Sequence, residues 1–284
     1  MPASEGSYAL SHMRDPVREL ARLRTQAKAA VELERRIWEM SGLEAGMRVL
    51  DVACGPGLVS CELAQAVGAE VGEVVGVDLD PGLVTEARSE AARQGQTSVS
   101  FRQGNVYDLD KLGASFDFAY ARMLFQHLAE PRRALASIRR TLRPGGRLCI
   151  ADVDDAWLLV HPGSTNFESF AERAARGQRA LGGDREVGRK LPEYLAQTGY
   201  TNVRTRVFTV TSYDLGMQRF LDLTTGFKLE LVPAAERDAA RAELERAHKA
   251  LDRPDAWGAV AVFVATGDKW DVHRSGCAGS RESA

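Results

Sequence analysis

Apolar residues recur along this chain with two different periods. From Pro16 to Met40 they fall at Leu20, Leu23, Ala27, Ala30, Val31, Leu33 and Ile37, the spacing of an amphipathic helix with a solvated Arg/Glu face. After a turn at residues 42–46 the pattern shortens: residues 48–52 form a compact run rich in Val and Leu, which reads as a buried strand. Helical spacing returns from Leu58, with Leu63, Ala64 and Val67 on one face. Residues 73–78, 98–103, 116–121 and 147–153 read as further strands. The helices between them start at Asp80-Pro81, an N-cap followed by proline at N1, and at about Pro131. The second of these stops at Arg143-Pro-Gly-Gly146. Beyond the fifth strand the reading is helix over 167–181 and 186–197, strand over 201–211, helix over 213–231 and 234–251, and a last strand over 259–265. Strands alternating with helices predict an α/β, doubly wound, mostly parallel sheet.

In such a sheet ligands bind beyond the carboxyl ends of the strands. Asp51, Asp78, Asn105, Arg122 and Asp152 all fall at those ends, which points to one shared site. The turn Ala53-Cys-Gly-Pro-Gly57 carries small residues and two glycines, so backbone can approach a ligand without Cβ obstruction. The helix opening at Leu58 presents its free amides there. Ser60 stands where a G-x-G-x-x-G fingerprint needs its third glycine. The acid Asp51, four residues before Gly55, suits a ligand with a cation rather than a pyrophosphate. Asp78 follows Gly55 by 23 positions, close to the offset at which a carboxylate meets a pair of ribose hydroxyls.

Composition narrows the class. With 44% hydrophobic and 27% charged residues the 284-residue chain can bury a sizeable core. A net charge of −2 and no long basic stripe argue against a nucleic-acid partner. Cys54, Cys61, Cys149 and Cys277 have neither CxxC spacing nor a nearby histidine, so neither zinc nor a disulfide framework is indicated, and no other metal-ligand set stands out. No apolar run approaches about 18 residues and no signal-peptide core is present, so the expectation is a cytoplasmic protein without a membrane partner.

These residues together resemble the class I S-adenosylmethionine-dependent methyltransferases, in their small-molecule branch. Val49-Leu-Asp-Val-Ala-Cys-Gly-Pro-Gly57 is similar to the family's glycine-rich first motif, and Val75-Gly-Val-Asp78 to its ribose-binding strand end. Phe116-Asp-Phe-Ala-Tyr120 and Leu142-Arg-Pro-Gly-Gly146 resemble the fourth-strand motif and the turn before strand five. More loosely, Tyr8 with Arg22-Leu-Arg-Thr-Gln26 resembles a segment that folds over the cofactor, and Gly183-Asp184 with Val187-Gly-Arg189 recurs in the same group. The resemblance implies a Rossmann-like, seven-stranded sheet whose last strand is antiparallel, with helical additions as cap and lid. It implies S-adenosylmethionine as cofactor, with backbone at Ala53, Gly55 and Gly57 beside its methionine and ribose portion. Asp51 would hold the loop or the ammonium, Asp78 both ribose hydroxyls, and Leu79, Asn105 and Val106 the adenine. Tyr8, Gln26 and Arg122 complete the expected cofactor set. Many relatives have an acid where Asn105 stands, but an amide oxygen still accepts.

Methyl transfer from a sulfonium is an in-line displacement, and a general base is needed only for a protonated nucleophile. His127, read in a helix after strand four, is the nearest candidate, the alternative being a packing or capping histidine. The expected organisation is one methyltransferase domain: an N-terminal helical lid (1–40), a cofactor core (41–155), a cap with a late strand (156–257), a final strand (258–267) and a polar tail (268–284). The N-terminal helix and residues 157–181 are expected to close over the cofactor and form most of the pocket for a small-molecule acceptor, with specialised metabolism as the expected setting. A nicotinamide-dependent oxidoreductase and a non-catalytic S-adenosylmethionine-binding protein are the competing functions. Neither the acceptor atom nor the oligomeric state can be read from the chain.

Overall fold

The computed structural model describes residues 7–8, 10, 13–68 and 70–270; the expected polar tail lies mostly outside them, as do His12 and His273. Each apolar run becomes a strand: β1 (Arg48–Val52), β2 (Glu73–Asp78), β3 (Val99–Gln103), β4 (Phe116–Arg122) and β5 (Leu142–Val153). Helix α1 (Pro16–Met40) precedes them, and α2 (Leu58–Val67), α3 (Pro81–Arg93) and α4 (Pro131–Thr141) connect them. Asp80 starts α3 as its sequence reads, accepting from the amides of Gly82 (2.8 Å) and Leu83 (3.3 Å). The parallel strands lie in the order β3-β2-β1-β4-β5. The order reverses at β1, which opens the crevice where such sheets take ligands.

The remaining strands are β6 (Leu159–His161), β7 (Tyr200–Thr211) and β8 (Trp257–Lys269). β8 runs antiparallel between β5 and β7, as expected of the final strand. β6 makes the sheet eight-stranded without widening it. It pairs with residues 257–259 of β8 on the edge that β5 occupies further along, so it continues the β5 column after an interruption.

Side chains of β1 alternate between two cores. Leu50 and Val52 join Val75, Ile138, Ile150 and Leu191 on one face, while Val49 joins Ile37, Trp38, Leu63 and Phe118 on the other. β4 shifts register between Phe116 and Phe118, and this bulge lets Phe116 share a core with Ala119 and Ala121. The C-terminal half of α1 therefore packs on the sheet through Ile37 and Trp38, leaving its N-terminal half to cover the strand ends.

Several sequence expectations are corrected. Residues 213–231 are three helices, α7 (Ser212–Leu215), α8 (Met217–Thr225) and α9 (Lys228–Leu231), parted at Gly216, which takes φ 81°, and at a turn over 226–227. The predicted helix over 186–197 is only α6 (Leu191–Gln197), preceded by a 3-10 turn. Residues 125–127, expected in a helix, form a single 3-10 turn. Helices α5 (Thr165–Ala180) and α10 (Arg237–Ala250) pack on each other beside α9.

Gly177 on α5 faces α9 so closely that a Cβ there would lie 1.9 Å from the Leu231 carbonyl oxygen. Gly177→Ala must push α9 outward and should lower stability by about 1–3 kcal/mol. Urea unfolding of the two proteins checks this, and equal midpoints with equal slopes would mean that the α5–α9 contact is looser than described.

Candidate active site

The end of β1 turns through left-handed backbone at Ala53 (φ 59°), Gly55 (φ 54°) and Gly57 (φ 80°). Two bonds from β2 clamp this turn: the Cys54 amide donates to the Val77 carbonyl (3.0 Å) and the Gly55 amide to Asp78 Oδ2 (2.8 Å). Asp78 Oδ1 accepts from the Asp80 amide (3.0 Å), so each of its oxygens is engaged once and each can accept again. Burial pushes the Asp78 carboxyl up, against these two amides. A Cβ at Gly55 would meet nothing within 4 Å, so the space over this residue is open. Gly57 differs: its Cβ would lie 2.7 Å from that of Ala87, so the missing side chain lets α2 approach α3.

Above the turn lies a cavity of about 350 Å³. The expected residues Tyr8, Gln26, Asp51, Ala53, Gly55, Asp78, Leu79, Asn105, Val106, Arg122 and His127 all line it; Gly57 does not. Leu79 is 44% exposed and offers an apolar surface beside Asp78. Asn105 Oδ1 caps a 3-10 turn by accepting from the Tyr107 amide (3.0 Å), which leaves it a second lone pair. Asp51 accepts from the Ser60 hydroxyl (2.5 Å). Burial pushes Asp51 up to about 7, opposed by Ser60 and helped by Glu34 and Asp78. A cation placed near it would reverse that shift. Asp152, expected at the shared site, instead holds the loop after β4 by accepting from the Gln126 amide (3.2 Å).

Arg22 also lines this cavity, one helical turn from Gln26, and was missed as a site residue although its motif was read. Glu19 takes its Nε (2.8 Å) and Nη2 (2.6 Å), and the same carboxylate accepts from the Tyr8 hydroxyl (2.8 Å). Its Nη1 is buried with no partner among the described residues, as are several other side-chain nitrogens and oxygens, and Arg22 is the one of these residues that lines this cavity.

His127 has the wrong surroundings for a general base. Its Nδ1 lies 3.0 Å from Ser7 Oγ and 3.2 Å from Gln178 Nε2, and that same Nε2 donates to the Gln126 carbonyl (2.8 Å). Nδ1 is thus occupied by protein groups rather than facing the cavity floor alone. Burial, then Arg185 and Arg22, push the imidazole down to about 3. The residue ties the Ser7 segment, whose amide donates to the His127 carbonyl (2.8 Å), to α5. The Gly183-Asp184 motif docks at the same place, with the Asp184 amide donating to the Gln126 carbonyl (2.8 Å).

A second cavity of about 370 Å³ adjoins the first. Gln26, Arg122, Met123, Gln126 and Phe227 line both and mark the neck of protein where the two cavities meet. Met123 holds φ 51°, an uncommon conformation for a residue with a side chain. Apolar side chains of α1, α8, β7 and β8 form most of the wall, and Glu34, Asp155, Arg185 and Lys228 supply buried charge. Of the segment 157–181 only Leu158 contributes to it, while α7, α8 and α9 contribute Leu215, Phe220 and Lys228 among others. Among the described residues no group of three or more His, Cys, Asp or Glu side chains could hold a metal ion.

The model of a family described as "Methyltransferase domain" matches residues 43–199. The O-methyltransferase resE of Aspergillus sclerotiorum is 30% identical over 216 residues, covering 73% of this chain and 75% of that protein. The O-methyltransferase rstn1 of Aspergillus nomiae is 34% identical over 166 residues, 58% of this chain and 69% of its own. In fold, the chain is similar to the YcgJ protein from Bacillus subtilis, with a TM-score of 0.56 at 18% identity, covering 85% of this chain and 98% of that one.

The neutral His127 has a testable linkage. Between about 3 and its ordinary 6.5 the unfolded chain binds a proton that the folded chain refuses. Its contribution to stability is therefore complete above 6.5 and is lost as pH falls toward about 3. The raised Asp51 and Asp152 act in the opposite sense, but they cancel when wild type is compared with His127→Gln. The stability advantage of wild type over that variant should shrink steadily on acidification in urea titrations. A difference independent of pH would mean that the imidazole is not held neutral.

Proposed function

The chain belongs to the methyltransferase domain family and is an S-adenosylmethionine-dependent methyltransferase, and from that premise we propose that the two joined cavities seat its cofactor and its acceptor. The observation that carries the proposal is their adjacency: one chamber lies over the β1 and β2 ends, and five of its side chains also line another of similar size. The cofactor supplies a methyl group on a sulfonium. The chain's own residues have the chemistry to hold such a molecule. Arg22 Nη1 is the donor for its carboxylate, Asp51 the partner for its ammonium, the open face of Gly55 admits its body, and the spare lone pairs of Asp78 take the ribose hydroxyls. Leu79, Asn105 and Val106 receive the adenine, while Tyr8 and Gln26 close the chamber from above.

The acceptor is a small molecule with a hydroxyl oxygen, in keeping with relatives named O-methyltransferases. The second cavity orients it toward the neck, and its apolar wall excludes water. Residues 41–155 serve as the cofactor core, with α1 and the later helices as cover. Among the described residues no helix is long and apolar enough to cross a membrane, and a cytoplasmic enzyme of specialised metabolism fits this reading. Neither the nicotinamide-dependent nor the non-catalytic alternative finds support in the family or in its relatives.

Calorimetric titration with S-adenosylhomocysteine tests the cofactor seat. Arg22→Met and Asp78→Ala should each weaken binding by about 1.5–3 kcal/mol, the range for hydrogen bonds that involve a charged group. Unchanged affinity in both folded variants would remove the first cavity from the cofactor's path.

A further inference from the structure

The second cavity carries more positive than negative buried charge, and that excess describes its ligand. Asp155 receives two N–H groups of Arg185, Nη2 to Oδ1 at 2.7 Å and Nε to Oδ2 at 2.9 Å. The Lys228 ammonium donates to the same Oδ2 at 2.7 Å. Both cations are deeply buried, Arg185 at 5% and Lys228 at 1% exposure, so two positive charges face one carboxylate. The only other buried charges on the wall, Glu34 and Arg122, neutralise each other, with the Tyr120 hydroxyl donating to Glu34. Glu32, Arg36 and Asp214 lie on the exposed rim, where water screens them, and Asp214 is occupied with capping α7.

Lys228 is the unfinished member of this cluster. An ammonium has three N–H groups, and among the described residues Asp155 is the one acceptor recorded for it. Arg185, by contrast, is braced on three sides, by Asp155, by Gln126 at the neck, and by the Phe227 ring 5.2 Å from its guanidinium carbon. An uncompensated buried cation is costly, and Lys228, which α9 contributes to the cluster, has one carboxylate to share with Arg185. Burial and Arg185 push Lys228 down to about 8 despite Asp155, the shift expected of an ammonium short of negative charge.

We infer that the acceptor carries an oxyanion on an apolar body, and that Lys228, held in place by Asp155 and Arg185, is the residue that selects it. This rests on the reading of the second cavity as the acceptor site. The anion completes a pairing of two cations with two anions, and the Leu33, Ile37, Val210, Phe220 and Val262 side chains take the apolar remainder. The oxyanion is either a carboxylate remote from the methylated oxygen or the ionised acceptor oxygen itself. In the second case the acceptor arrives deprotonated and no general base is required, consistent with the occupied Nδ1 of His127.

Matched probes separate these cases. With S-adenosylhomocysteine bound to the wild-type protein, naphthoate is compared with naphthamide, and nitrophenolate, above its own pKa, with nitroanisole. At least one anion should bind about tenfold or more tighter than its neutral partner, equivalent to about 1.4 kcal/mol. The naphthoate pair alone reports a remote carboxylate, and the nitrophenolate pair alone the reacting oxygen. Lys228→Met should abolish the preference while leaving the neutral probes unaffected, and Lys228→Arg should restore it. Equal binding of anion and neutral partner in both wild-type pairs overturns the inference without any variant, as does a preference that survives Lys228→Met. Failure of S-adenosylhomocysteine to bind wild type would instead count against the cofactor seat, and probe binding that ignores the cofactor-loaded state would count against the pairing of the cavities.

Discussion

The structure depends on one constraint, the clamping of a left-handed turn between two parallel strands. The amides of Cys54 and Gly55 both point to the end of β2, one to a carbonyl and one to Asp78. That arrangement needs Asp78 buried and ionised, yet burial alone raises its pKa, so the two amide bonds offset a desolvation cost that would otherwise favour the neutral acid. The same carboxylate thus fixes the loop and keeps lone pairs for a ligand. With the turn set, α2 is aimed at the crevice and α1 has a defined rim to cover.

The cover is held by buried polar contacts as well as by apolar packing. Ser7, His127, Gln178 and the Gln126 backbone form one knot under the first cavity. Asp155, Arg185 and Lys228 form another under the second, where Lys228 and Arg185 hold the Asp155 carboxyl well below its usual range although burial opposes them. Gln126 belongs to both knots, its carbonyl in the first and its side chain paired with Arg185 in the second. A ligand in either chamber therefore acts on a shared wall. Partly satisfied networks of this kind are costly in the absence of a ligand, which places the incomplete groups, Arg22 Nη1 and the Lys228 ammonium, at binding surfaces rather than in the packed core.

Much of this was legible in the residues. Short Val-rich runs bounded by glycine, proline or acids become strands because parallel strands buried on both faces need continuous apolar sequence, and residues at their ends must converge whatever the loops do. Hence all the expected site residues except Gly57 and Asp152 line one cavity. Gly57 misled because its constraint comes from Ala87, a helix away in sequence. His127 misled because its basicity is set by burial, then by Arg185 and Arg22, neither of them near it in the chain. The share of α8 and α9 in the second cavity was not legible for a related reason. The periodicity of residues 213–231 reads as one helix, whereas the chain is parted at Gly216, with φ 81°, and at a turn over 226–227.

The central claim is that the cofactor sits under the N-terminal half of α1 and against the clamped turn, joined to an acceptor space walled by α8 and α9. Hydrogen–deuterium exchange with and without S-adenosylhomocysteine tests it most directly. The account predicts added protection at residues 22–27, 53–55, 78–80 and 105–106 and at the neck around Phe227, with none in α5, which lines neither cavity. Protection confined to α5, or binding that leaves residues 22–27 and 53–55 unchanged, would contradict it.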